Sequence, residues 1–387
     1  MKRNTERVAL QASSTGTHRL LVFHRYGEAG KGGRKAYLQA ALHADETPGL
    51  LVLHHLLRLL DEAAAAEAIT GEIVVVPYAN PIGLDQNING YHLGRHHLGG
   101  GGNFNRNWID LTETVANAIE GQLGEDPEKN VALIRTILRV AIAEQLETLE
   151  PDRLGVDLIH YRLMLAREAV DSDLVLDLHC DLEALMHLFL TPVHWPEARD
   201  VAAELGCRAV LLAEDSGGAS FDEAFSTPWI KLAARFPRHP IPPACVSGTV
   251  ELRGRSDVSD SLAEADAAAL FRILQRRGFV AGDPGPLPEL ACEATRLDAV
   301  DVLRAPATGV IAYKVALGDR VRKGEVIAEI VDPAADPSSA RTPIVARNNG
   351  LILSRHVQFY VTRGTSIAKV VGREPLPHRN FGSLLED

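Results

Sequence analysis

Two residues of metal-binding type stand three positions apart, His43 and Glu46, in Ala41-Leu42-His43-Ala44-Asp45-Glu46-Thr47-Pro48-Gly49. The stretch follows a short, mostly apolar run (residues 36–42) and precedes a strongly helical one (residues 50–60). Where a strand ends and a helix begins, an imidazole nitrogen and a carboxylate oxygen at this spacing reach one point in space. They supply two of the three protein ligands of a catalytic zinc, leaving the fourth position to water. Alone the pair is weak, since a surface His near a solvated Glu has the same spacing. The rest of the chain has to supply a third ligand and a base.

The third-ligand candidate is His179, in Asp177-Leu178-His179 at the end of an apolar run. A lone His there is more often a satisfied core residue, but α/β sites are built at the carboxyl ends of parallel strands. Glu251 is the base candidate. It lies in the apolar run 244–252, where a carboxylate is costly unless paired or functional. It either moves a proton from water to a leaving amine or pairs with Arg253. Residues two apart on a strand share a face, so Arg253 is also suited to orienting it. Asn105 and Arg106 are adjacent in a glycine-loosened loop. A guanidinium fork suits a carboxylate or a developing oxyanion. A loop-stabilising Asn beside a solvated Arg stays open as well.

The elements that must position these residues follow in order. Strands are expected at 19–26 and 35–42, with a glycine-rich turn from Gly27 to Gly33 between them. Pro48 opens a helix to about residue 68, and the β-branched run 73–77 is a buried parallel strand. Strand, helix, strand is the signature of an α/β sheet. A long irregular segment, rich in Gly, His and Asn, runs from Asn80 to Trp108 and carries Arg95; segments of this kind are often functional. Helices are expected near 111–122, 128–149 and 152–171, strands at 173–177, 185–191 and 208–213, and a helix at 196–205. Ser216-Gly217-Gly218-Ala219-Ser220 reads as a flexible turn and lid hinge. A strand at 244–252 and a helix from Ser261 to Arg276 close the first domain.

Residues 282–288 are a linker by composition. Beyond them Val321, Gly324, Ile327 and Ala328 recur 40 residues later as Val361, Gly364, Ile367 and Ala368, and Gly309 recurs as Gly350. Two similar hairpin units suggest a small pseudo-symmetric β-barrel or sandwich.

Composition bounds the function. A chain of 387 residues, 46% hydrophobic and 24% charged, reads as a soluble two-domain protein, one domain large and one small. The net charge of -11 argues against nucleic acid as a partner. No apolar run is long enough to span a membrane, and residues 1–16 hold no secretory h-region. Cys180, Cys207, Cys245 and Cys292 lack CxxC spacing and read as reduced thiols of a cytoplasmic protein.

His43-x-x-Glu46, Asn80-Pro81, Arg95, Asn105-Arg106, Asp177-Leu178-His179 and Glu251 occur in the order seen in zinc carboxypeptidases. The set most resembles the succinylglutamate desuccinylase/aspartoacylase branch, over roughly residues 20–280. The C-terminal repeat resembles the small β-barrel domain which that branch appends. The resemblance implies a three-layer α/β/α catalytic domain with a mixed sheet over residues 1–290. It further implies a β-barrel or barrel-sandwich capping domain over 300–375. It implies one zinc per chain, held by His43, Glu46 and His179. Glu251 would be general base and then general acid, Arg95 would polarise the scissile carbonyl, and Asn105 and Arg106 would hold a substrate carboxylate. The implied reaction is hydrolysis of the amide of a small N-acyl amino acid or related carboxylate-bearing amide. The alternative is a metallocarboxypeptidase acting on peptide C-termini.

Some positions depart from the pattern. Ala41 and Ala44 stand where the branch usually has glycine, a change tolerable on size. No tyrosine lies between Arg162 and Ala312, where a digestive carboxypeptidase would place a substrate-capping one. This favours small N-acylated substrates. The repeat also looks like a lipoyl or biotinyl carrier fold, yet residues 331–347 contain no lysine for attachment. The expected partner is a small molecule, with neither nucleic acid nor membrane, and a homo-oligomer stays compatible with the sequence.

Overall fold

The computed structural model describes residues 2–12, 14–28 and 33–379. The turn expected at Gly27–Gly33 falls partly outside these residues, as does the end of the C-terminal tail.

The protein is a mixed α/β structure around a nine-stranded sheet. In spatial order the strands are Asn4–Ala9, Leu20–Tyr26, Glu72–Val76, Lys35–Ala40, Leu174–Asp181, Val246–Gly254, His187–Leu190, Ala209–Leu212 and Ala294–Arg296. The four from Glu72–Val76 to Val246–Gly254 run parallel. Their carboxyl ends therefore share one edge, and that edge carries His43, His179 and Glu251.

Helices cover both faces, because every central strand alternates apolar side chains between two cores. Leu174, Leu176 and Leu178 pack with Leu53 and Leu56 of the Pro48–Ala65 helix and Leu270 of the Asp260–Arg276 helix. Val175 faces the other core, which holds Phe104, Trp108, Tyr161, Phe221 and Trp229. Asp177 and His179 follow Val175 at period 2 and so point to that second side. Each large side chain fully buried there contributes about 1.5–3 kcal/mol.

Several elements were not expected from the sequence, the sheet's last strand Ala294–Arg296 among them. Asn4–Ala9 is an edge strand, antiparallel to Leu20–Tyr26. Its half-exposed residues lack an apolar run. Phe221–Arg235 is a helix of 15 residues with Pro228 inside it. The proline obscures its periodicity, yet Ser220 and Glu223 bracket its start as a capping box, which is a readable signal. The Ser216–Ser220 segment in front of this helix is not a loose hinge. Glu223 Oε1 accepts from the Ser216 amide, Asn107 N donates to Gly218 O at 3.1 Å, and Trp108 N donates to Ala219 O at 2.9 Å.

After Ala294–Arg296 the chain builds two small sheets over a shared core that includes Ile311, Ile327, Ile352, Ile367 and Val370. The repeat is physical: Gly309–Tyr313 pairs with Val326–Val331, and Gly350–Arg355 with Ser366–Val371. A Cβ on Gly309 would lie 2.4 Å from Val331 O, and one on Gly350 would lie 2.4 Å from Val371 O. The same close approach explains glycine at both positions. Glu183–Ala184, just past His179, pairs with Gly350–Arg355, so the chain following His179 and the C-terminal unit share a sheet. No helix among the described residues is long and apolar enough to cross a membrane.

Candidate metal and catalytic site

His43 and Glu46 lie in the turn between Lys35–Ala40 and the Pro48–Ala65 helix. His179 ends the neighbouring strand. One ligand atom from each lies within 4.8 Å of the others, and all three residues are buried. Glu46 Oε1 is 2.9 Å from His43 Nδ1, and Oε2 is 2.9 Å from His179 Nδ1. The outer nitrogens are also engaged: His43 Nε2 lies 2.8 Å from Asn103 Oδ1, and His179 Nε2 lies 2.8 Å from Asp177 Oδ2. Behind Asp177 stands a buried relay, with Gln39 Nε2 donating to Asp177 Oδ1 at 3.0 Å and Tyr37 OH donating to Gln39 Oε1 at 2.7 Å.

This arrangement fits a divalent cation. Oxygens face both nitrogens of each imidazole, so each Nδ1 carries a proton or gives its lone pair to a metal or, at His43, to the Arg95 guanidinium. Burial pulls the His43 imidazole down and so disfavours its doubly protonated form. Burial would raise the Glu46 carboxyl, but His43 and His179 hold it well below the usual range. Two imidazoles and one carboxylate suit zinc, with Asn103 and Asp177 fixing ring orientation from outside.

Glu251 is the Cα partner of His179 on one side and of His187 on the other. Its Oε2 is buried and finds no hydrogen-bond donor among the described residues. Burial first, and the Glu46 charge second, push its carboxyl to about 8. The expected partnership with Arg253 is not formed. A bulge separates Glu251 from Gly254, Arg253 sits at φ 62°, and its guanidinium pairs with Asp266. The bulge breaks the alternation on which the shared-face argument rested.

Arg95 Nη1 reaches Glu46 Oε1 at 3.1 Å and His43 Nδ1 at 3.3 Å, beside the three candidate ligands. Its loop is held by close contact, since Ala44 N donates to Gly94 O at 3.0 Å and a Cβ on Gly94 would lie 2.2 Å from Asp45 N. Asn105 and Arg106 line the same cavity, of about 310 Å³, as His43, Glu46, His179 and Glu251. Asn105 also holds the fold together, because its Oδ1 accepts from Phe221 N at 2.8 Å, at the start of the Phe221–Arg235 helix.

The fold has counterparts among known proteins. A family model, the Succinylglutamate desuccinylase/Aspartoacylase catalytic domain, matches residues 32–122. The family resemblance read in the sequence is shown over those residues. A putative succinylglutamate desuccinylase/aspartoacylase from Shewanella frigidimarina NCIMB 400 is 23% identical at TM-score 0.82, covering 96% of this chain and 97% of that one. A putative family protein from Shewanella amazonensis SB2B is 23% identical at TM-score 0.80, covering 95% and 98%. The product-bound Ectoine utilization protein EutE (DoeB) from Ruegeria pomeroyi is 18% identical at TM-score 0.64, covering 97% and 96%. At these identities the structures share the fold. Among the curated proteins none matches.

Several cavity residues escaped the sequence reading. Lys369 comes from the C-terminal unit and places Nζ 2.6 Å from Asp181 Oδ2. Burial would raise the Asp181 carboxyl, but Lys369 brings it to about 2. His187 Nδ1 donates to Leu185 O over 2.8 Å, and burial lowers its imidazole to about 4. Asp222 follows Phe221 at the start of its helix; burial first, then the Glu223 charge, push its carboxyl to about 7. Lys369 carried no signal, being one residue of an apolar strand far from the motifs. Asp222 was findable only through the missed capping box.

Proposed function

We propose that this protein is a zinc-dependent amidohydrolase that cleaves the amide of a small N-acyl amino acid or related carboxylate-bearing amide. The observation carrying this reading is the convergence of His43, Glu46 and His179 in one cavity with the buried carboxyl of Glu251. One zinc per chain, held by those three residues, supplies Lewis-acid polarisation of water and of the amide carbonyl. Glu251 takes a proton from the attacking water and returns it to the leaving amine; a carboxyl near 8 is suited to both halves of that transfer at neutral pH. Arg95 donates to the carbonyl oxygen as negative charge builds on it. Arg106 and Asn105 hold the substrate carboxylate. The similarity to the desuccinylase/aspartoacylase catalytic domain supports amide hydrolysis as the reaction. Lys369 lines the cavity, which supports residues 300–375 as a cap over its mouth.

The test is elemental analysis of the wild type and of His179→Ala, with hydrolysis of N-acyl amino acids and of dipeptides. The expected result is one zinc per chain, lost in the variant, with release of the amino acid from the N-acyl substrates. Release of C-terminal residues from peptides would move the reading to a carboxypeptidase, and no zinc in either protein would overturn both.

A further inference from the structure

The sheet fixes one side of the site and leaves the other to side chains. His179 and Glu251 are held opposite each other by the strand ladder. His43 and Glu46 lie past the end of Lys35–Ala40, in a turn where no ladder continues. The first half of that turn is tied by Asn80 Nδ2, which donates to Leu42 O at 2.8 Å, and by Ala44 N, which donates to Gly94 O. The second half holds Asp45, directly before the candidate ligand Glu46. The Asp45 side chain is 8% exposed and meets Arg255, whose Nη2 lies 2.9 Å from Oδ2. A carboxylate this buried, next to that of Glu46, is costly without a cation.

Arg255 arrives by a firm path. The bulge after Glu251 sends Arg253 away to Asp266. Gly254 then passes close against the chain after His179, where a Cβ on it would lie 3.0 Å from Leu182 O and from Glu183 Cα. Arg255 N donates to the same Leu182 O at 3.1 Å. Its guanidinium lines the cavity and crosses to the turn. Arg255 Nε and Asp45 Oδ1 are both buried and without a hydrogen-bond partner among the described residues. A buried pair joined at one point gains little stability against its desolvation. What it does supply is a direct link between the turn of His43 and Glu46 and the strand of Glu251.

We propose that Arg255 is a positioning residue. Acting through Asp45, it clamps the His43–Glu46 turn to the strand that carries Glu251 and so sets the separation of the metal position and the base. The effect on catalysis rests on the amidohydrolase reading; the clamp itself concerns the turn and holds in metal-free protein.

The test compares wild type with Arg255→Gln, Arg255→Lys, Asp45→Asn and the double variant Arg255→Gln/Asp45→Asn. The first readout is amide hydrogen exchange in metal-free protein. Exchange at Ala44 and Glu46 is expected to be about tenfold faster in Arg255→Gln and Asp45→Asn, with the Leu174–Asp181 strand unchanged as the control for folding. Zinc affinity, by competition with a chelator, should fall about 10- to 100-fold in the same variants. With the best N-acyl substrate kcat should fall about ten- to hundredfold, while KM stays within about threefold. Arg255→Lys keeps the charge on a shorter stem and should lie between wild type and Arg255→Gln. The double variant should be no worse than either single one. Additive losses in the double variant would overturn the proposal. So would a raised KM with exchange and zinc affinity unchanged, which would make Arg255 a substrate contact. A wild type that hydrolyses no amide, with exchange that still depends on Arg255, would sink the amidohydrolase reading and leave the clamp standing. Unchanged exchange in Arg255→Gln would sink the clamp whatever the turnover.

Discussion

His179 and Glu251 are Cα partners on adjacent parallel strands. The proposed metal ligand and the proposed base thus share one rung of a buried ladder. The separation of ligand and base is set by the sheet, with no mobile loop between them, and the bulge directly after Glu251 lets the strand turn away without disturbing that rung.

The first prediction concerns this rung. Glu251→Gln keeps shape and loses the proton-carrying oxygen. Turnover of the best N-acyl substrate is expected to fall about 10²- to 10⁴-fold, while elemental analysis still finds the metal. Activity within tenfold of wild type would remove Glu251 as the base.

The relay behind His179 is also testable. Asp177 holds His179 Nε2 at 2.8 Å and is itself held by Gln39. Burial would lower the His179 imidazole, but the carboxylates of Asp177 and Glu46 hold it well above its usual value. Asp177→Asn removes the charge that makes the ring a strong ligand. Metal affinity, measured by competition with a chelator, is expected to drop about 10- to 100-fold. Unchanged affinity would make Asp177 a packing residue only.

The legible part of the protein was its sheet and the residues at the sheet's edge. His43 and His179 terminate short apolar runs, and the β-branched run at residues 73–77 marks the sheet beside them as parallel, so their convergence follows from topology. The pieces that were not legible close the site from elsewhere in the chain. Lys369 reaches Asp181 from 188 residues away, and no local pattern encodes that contact. The Phe221–Arg235 helix is masked by Pro228, and the bulge at Arg253 depends on the neighbouring strand. Long-range pairing, a helix that tolerates a proline, and a broken alternation each defeat reasoning from period alone.

Acid sensitivity follows from two neutral imidazoles. Burial holds both His187 and His194 at about 4, against an ordinary 6.5. Between those values the unfolded chain binds protons that the folded protein refuses, so stability is full above about pH 7 and falls as pH drops toward 4. Each histidine should remove about 2 kcal/mol between pH 7 and pH 5. Urea unfolding at the two pH values should therefore show a gap that shrinks by about that amount in His194→Gln. An unchanged gap would mean that His194 is protonated in the fold.

The departure at Ala41 turns on backbone conformation and not on size. Ala41 is fully buried and sits at φ 56°, in the left-handed region, two residues before the ligand His43. That conformation costs alanine about 1–2 kcal/mol. Glycine would relieve it, but Ala41→Gly gives back about 0.4–1 kcal/mol through the unfolded chain and about 0.8 kcal/mol through the lost buried methyl. The terms nearly cancel, so urea unfolding should place Ala41→Gly within about 1 kcal/mol of wild type. Ala41→Val adds bulk to a packed site and a β-branch at positive φ, and should cost about 3 kcal/mol or more. It should also weaken metal binding, because the turn that aims His43 and Glu46 begins at this residue. A valine variant as stable as wild type would mean that the turn relaxes to negative φ, and its metal affinity would then show whether the His43–Glu46 geometry survives the change.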